Sequence, residues 1–216
     1  MMMPPDKTSR QQFALIEGPQ DAIDRATALK LEAAGFRVIR TTGQGASEPL
    51  DVAVIRARTA GEGEADIAAS LEMALLLTRA AAAGMSRAEG GRIIYVLSSL
   101  GRYRSAWFHS RADSGSRVAQ AAIEGALVAQ TRQLAFELAP RRIRVNAVAH
   151  GWIRGIGPEP DAVLSEREKE ALLTEISLRR PGEPAEVAAV ITFLAGPASS
   201  YITGTILDVN GGWWVS

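Results

Sequence analysis

Short, uninterrupted apolar runs separated by helix-period segments are the feature that most narrows what this chain can fold into. Residues 13–16 (Phe-Ala-Leu-Ile) run straight into Glu17-Gly18-Pro19, a periodic stretch follows from about Ala22 to Ala34, and Gly35 stops it. That reads as buried strand, turn and helix. Further runs at 36–41, 50–55, 92–98, 142–148 and 206–209 have the same character. A strand without polar alternation has both faces covered, so these strands belong inside a parallel sheet with helices on either side. The expected architecture is a three-layer α/β sandwich, a Rossmann-like doubly wound sheet, formed by one domain over residues 1–216.

The intervening helices are expected at 64–83, at 116–138, from the capping-box sequence Ser165-Glu166-Arg167-Glu168 to about Leu178, and from Pro184 to about Ala195. One connection is too short for the pattern. Only residues 42–49, Thr-Gly-Gln-Gly-Ala-Ser-Glu-Pro, separate the second and third strands, whereas a parallel crossover normally takes a dozen or more residues. Eight extended residues reach roughly 28 Å, enough to return along the sheet without a helix.

Composition removes several function classes. Lys plus Arg (24) equals Asp plus Glu (24), so no field of one sign points to nucleic acid or an anionic membrane. There is no cysteine, and two isolated histidines, His109 and His150, are too few for a zinc site. The start, Met1 to Lys7, lacks the apolar core of a signal peptide, and no run approaches the roughly 18 apolar residues of a membrane span. The expectation is a cytoplasmic protein.

Five segments appear in a telling order: Gly91-Arg92-Ile93-Ile94 with Ser98-Ser99; Ala121 to Leu138; Ile143-Arg144-Val145-Asn146-Ala147-Val148; Arg180-Pro181-Gly182-Glu183-Pro184; and Tyr201-Ile202-Thr203-Gly204 to Asn210-Gly211-Gly212. Together they resemble the short-chain dehydrogenase/reductase family over residues 12–212. The family usually places helix, strand and helix where residues 42–49 stand, so the resemblance implies that an edge strand and its flanking helices are deleted.

The same resemblance shows where the chain departs from the family's chemistry. A Thr-Gly-x-x-x-Gly-x-Gly turn lets the backbone approach a cofactor diphosphate at a helix N-terminus. The matching stretch here is Glu17-Gly18-Pro19-Gln20-Asp21-Ala22-Ile23-Asp24, which keeps Gly18 but has Ala22 and Asp24 at the other glycine positions. The three acids, Glu17, Asp21 and Asp24, are ordinary dipole partners for a helix start, and they also set negative charge beside a diphosphate. Arg56 and Arg58 replace a motif lining the adenine; they suit either a hold on an anion or a solvated loop, and the loop is the expectation.

The family's catalytic Tyr and Lys are matched by Ser116 and Gln120, its helix Asn by Ser70, and its Ser by Ser98 or Ser99. A serine cannot stand in for a phenol as proton donor, and a neutral amide depresses no pKa. The tyrosines, Tyr95, Tyr103 and Tyr201, are followed four residues on by Ser99, Trp107 and Thr205, so no displaced Tyr-x-x-x-Lys pair exists.

These departures imply a non-catalytic subunit with no cofactor of its own. It would assemble with an active paralogue carrying NAD or NADP, or with itself, as in heteromeric members of the family of which one acts on a hydroxyacyl-CoA. The small-residue helix 116–138 suits either a subunit interface or burial within one subunit. Trp213 and Trp214 likewise suit either an interface that shapes a partner's pocket or the chain's own core. Two alternatives stay open: an atypical oxidoreductase or lyase using His150, Tyr103 or His109, with His150 otherwise an exposed loop residue, and a small-molecule binding module.

Overall fold

The computed structural model describes residues 10–41, 49–56, 64–85, 90–99, 114–156 and 165–214, with the backbone alone for 64–66 and 114–117. Its strands are β1 (Gln12–Glu17), β2 (Phe36–Thr41), β3 (Val52–Ile55), β4 (Gly91–Ser98), β5 (Ile143–His150) and β6 (Ile206–Val209). The helices are α1 (Ala22–Ala33), α2 (Glu64–Gly84), α3 (Ser114–Leu138), α4 (Glu166–Glu175) and α5 (Pro184–Ala195). All strand pairings are parallel, in the order β2-β1-β3-β4-β5-β6.

The period-2 geometry of a strand divides each apolar run between the two faces of the sheet. Leu15, Ala53, Ile55, Ile93, Tyr95 and Leu97 pack toward Ala74 and Ala81 of α2 and Ile123, Leu127 and Leu134 of α3. Ala14, Ile16, Val52, Val54, Ile94 and Val96 pack toward Ile23 and Leu31 of α1 and Val187, Ile191 and Leu194 of α5. Both faces are therefore covered, as the lack of polar alternation requires.

Several expected boundaries move. β5 runs to His150 rather than 148, because Val148, Ala149 and His150 all find partners on β4 and β6. α4 stops at Glu175, before the expected 178, since Ile176 takes an extended conformation and turns its side chain into the core beside Leu172 and Trp213. The third strand starts at Val52; Leu50 makes an isolated bridge to Met85 instead.

Among the described residues β2 is the sheet edge, and the chain then passes to the far side of β1 to form β3, with residues 42–51 between them. This reversal opens a crevice at the C-terminal ends of β1 and β3, the place where open α/β sheets bind ligands.

One expectation about hydropathy is corrected. Within α2, residues Ile67–Gly84 have a mean hydropathy of 1.4 and are long and apolar enough to cross a membrane by length and composition. The window includes Glu72 and Arg79, and Ala74, Ala81 and Ala82 join the core against the sheet.

Asn146 ties β5 to the segment leading into β6. Its side-chain amide donates to the Ile202 carbonyl (3.0 Å) and its side-chain carbonyl accepts the Thr205 N–H (3.2 Å). Asn146→Ala removes the acceptor of the Thr205 N–H and one of two donors to the Ile202 carbonyl, which keeps Arg144 at 3.1 Å, at about 1–3 kcal/mol. Thermal melting is expected to show a Tm at least about 2 °C lower; an unchanged Tm would mean that water replaces the Thr205 bond.

Candidate functional site

The crevice is built from the ends of four strands and the starts of two helices. Glu17 ends β1, Arg56 follows β3, Ser98 ends β4, and His150 ends β5. α1 begins above β1, and α3 brings Gln120 and Glu124 over the end of β4.

At the start of α1, Asp21 is the N-cap, and its carboxylate accepts the N–H groups of Ile23 (2.9 Å) and Asp24 (3.2 Å). Gln20 adopts a left-handed backbone (φ 64°), and its N–H donates to Asp24 Oδ2 at 2.8 Å. Asp24 is only 1% exposed. Its carboxylate lies so close to Gly18 that a Cβ added there would stand 2.6 Å from Asp24 Oδ2. Gly18 thus makes room for a side chain of this chain itself.

Arg56 completes this cluster. Its guanidinium pairs with Asp21 and stands 3.6 Å from Asp24 Oδ1. At 12% exposure it is not the solvated loop residue expected from the sequence, because two carboxylates at the α1 terminus draw it inward. Burial raises the Asp24 pKa, Arg56 opposes that shift, and Asp21 adds to it. Arg58 lies outside the described residues.

At the other end of the crevice, Glu124 is 8% exposed, and its Oε2 accepts the Ser98 N–H at 3.0 Å. The Ser98 hydroxyl and the Gln120 amide also hydrogen-bond to it. Burial pushes its pKa up to about 7, against those hydrogen bonds and the more distant Arg56 charge. Glu124 is a site residue that the sequence reading missed. Its signal was a carboxylate one turn after Gln120, flanked by the core residues Ile123 and Leu127, on a face where an acid needs a partner.

His150 is not an exposed loop residue either. It is buried at the end of β5, in register with Ser98. Its Nδ1 lies 2.8 Å from the Gly151 carbonyl, and its own backbone carbonyl accepts the Ser99 hydroxyl at 3.0 Å. Burial lowers the ring pKa to about 4; the Gly151 bond opposes this, Arg56 adds to it, and Asp21 opposes it.

The structure therefore brings Gly18, Ala22, Asp24, Arg56, Ser98, Ser99, Gln120, Glu124 and His150 to the strand ends. Ser70 is a half-buried residue of α2. Ser116 lies in α3, with its side chain outside the described ones, and Tyr103 and His109 also lie outside them. Trp213 settles one alternative: it packs on Leu172 and Ile176 and donates its indole N–H to Glu175 at 3.0 Å, so it belongs to this chain's own core. Trp214 stacks on it at a ring separation of 6.4 Å.

Comparison with known proteins decides the family. The family model described as enoyl-(acyl carrier protein) reductase matches residues 45–214. The chain belongs to the short-chain dehydrogenase/reductase family. The 3-oxoacyl-[acyl-carrier-protein] reductase MabA of Mycobacterium tuberculosis is 31% identical over 192 residues, 89% of this chain and 72% of that protein. The corresponding FabG of Pseudomonas aeruginosa is 39% identical over 140 residues, 65% of this chain and 52% of its own length. The chain spans about half the length of several of the curated relatives it matches. A crystal structure of a short-chain dehydrogenase/reductase from Burkholderia thailandensis superposes with a TM-score of 0.77 at 24% identity, covering 96% of this chain and 94% of that one. It shares the fold.

Members of this family generally bind NAD or NADP, and the residues at the α1 terminus do not fit a diphosphate. The N–H groups of Gln20, Ile23 and Asp24 are already taken by internal carboxylates, and the space above Gly18 is filled by one of them.

Glu124 also gives the fold a pH dependence. Its folded pKa of about 7 lies above its ordinary 4.5, so its stabilising contribution is complete below pH 4.5 and is lost as pH rises through 7. The loss amounts to about 3 kcal/mol across that window. Glu124→Gln is expected to flatten this part of the stability curve and to raise Tm above pH 7, as followed by circular dichroism. A steeper curve in the variant would contradict the assignment.

Proposed function

We propose that this chain is a member of the family without hydride-transfer chemistry of its own. It works in the cytoplasm as a non-catalytic subunit, holding no nucleotide and supporting an active short-chain dehydrogenase/reductase that carries NAD or NADP. The partner's substrate class would be an alcohol or ketone, such as a hydroxyacyl or oxoacyl thioester, in line with the 3-oxoacyl reductases to which this chain is similar.

The observation that carries this reading is Asp24 lying on Gly18. A cofactor diphosphate approaching that glycine would meet a buried carboxylate, and a like-charge contact at 4 Å costs about 4 kcal/mol at an effective dielectric of 20. Ser116 and Gln120 remove the phenol and the ammonium from the same crevice. Assembly is supported by apolar surface on the α2 and α3 side: Met73, Leu76, Val118 and Phe136 are all exposed, the last two at 69% and 79%. Large apolar side chains exposed on two helices that pack together suit association.

Calorimetric titration of the full chain with NAD(H) and NADP(H) is expected to show no binding up to millimolar nucleotide, and a micromolar Kd would overturn the reading. Replacing Asp21 by Ser, Ala22 by Gly and Asp24 by Gly keeps a helix cap while emptying the seat, and is expected to gain measurable affinity. Affinity purification from the native host is expected to recover a family member with its Tyr-x-x-x-Lys intact; recovery of this chain alone would argue for self-assembly.

A further inference from the structure

The groups gathered at the ends of β4 and β5 have a use that needs no nucleotide. Ser98 presents a half-buried hydroxyl at the strand end and hydrogen-bonds through both its backbone N–H and its side chain to Glu124. Across one strand spacing, in register, stands His150. The Gly151 carbonyl beside its Nδ1 only accepts, so in the neutral ring Nδ1 holds the proton and Nε2 carries the lone pair. A hydroxyl backed by a carboxyl thus ends the strand beside the one that ends in an imidazole base; Ser98 is one of the two positions matched to the family's Ser, and His150 lies outside its Tyr-Lys arrangement.

We propose that Ser98, His150 and Glu124 exchange the hydrogen on the carbon next to a carbonyl group in a small ketone or thioester, interconverting its keto and enol forms. His150 Nε2 takes the proton as the C–H bond breaks. The electron pair moves into the new C=C bond, and the carbonyl oxygen takes the Ser98 hydroxyl proton, which Glu124 replaces. The reverse sequence restores the carbonyl, so nothing is oxidised or reduced. Ser98 and His150 touch the ligand, while Glu124, acting through Ser98, is a positioning and relay residue.

The protonation states suit this division. Burial keeps Glu124 protonated up to about pH 7 and His150 unprotonated down to about pH 4. The charges that face them are Arg56, from the end of β3, and Asp21, from the start of α1; Arg56 is held by Asp21 and Asp24. Gln120, the remaining polar neighbour of Glu124 on α3, is neutral.

The inference rests on the reading that this crevice works without nucleotide, but its readout is separate from nucleotide calorimetry. The full chain is incubated in D2O with cyclohexanone, and in parallel with S-butanoyl-N-acetylcysteamine, and loss of the α-proton signal is followed by NMR. Exchange should exceed the buffer rate, with a bell-shaped pH profile bounded near 4 and 7. General acid–base groups contribute about 10²–10⁴-fold, so His150→Gln and Ser98→Ala should each lower the rate at least tenfold with unchanged circular dichroism. Glu124→Gln keeps an acceptor for the Ser98 N–H; it should also lower the rate and erase the alkaline limb, while Glu124→Asp should restore part of both. Exchange at the buffer rate with both probes, or a Glu124→Gln variant with the wild-type profile, overturns the proposal.

Discussion

The carboxylate of Asp24 is buried against the α-carbon of Gly18, held by the N–H of Gln20 and faced by Arg56. A buried charge must be hydrogen-bonded and paired, or it is not tolerated. That requirement organises the end of the first strand. Gln20 takes a left-handed conformation that directs its N–H to the carboxylate, Arg56 is drawn out of solvent, and Gly18 has to remain without a side chain. Elsewhere in the family a glycine at this turn admits a cofactor from outside. Here the same lack of a Cβ admits an anion from the next turn of the same chain.

A second buried acid shapes the other end of the crevice. Glu124 and His150 are both pushed by burial toward their neutral forms, one up to about 7 and the other down to about 4. The crevice therefore combines a paired, charged cluster at the α1 terminus with an uncharged acid and an uncharged base over β4 and β5 near pH 6. Arg56 belongs to the charged cluster and its field is felt by Glu124 and by His150, so a change in its pairing would shift the protonation of both.

Much of the fold was legible because it depends on local rules. The bounds of β2, β6 and α5 follow from apolar runs and turn residues, and Pro184 begins α5 as its fixed φ favours. The absence of Tyr and Lys at positions 116 and 120 is legible for the same reason: it is a matter of residue identity. Arg56, Glu124 and His150 were misjudged or missed, and the two readings of Trp213 stayed open, because their roles depend on neighbours far away in the chain. Arg56 meets Asp21 across 35 positions, Ser98 meets Glu124 across 26, and Trp213 meets Glu175 across 38.

By itself the sequence determined a parallel α/β sheet and the replacement of the family's Tyr and Lys by Ser116 and Gln120, since apolar periodicity and residue type are carried in the chain order. Only the tertiary structure decided which charges fill that crevice. Whether Asp24 is a helix-start acid in water or a buried anion on a glycine depends on what surrounds it, and desolvation, which sets the cost of a charge and the pKa of an acid or base, exists only once the strand ends and helices have closed around it.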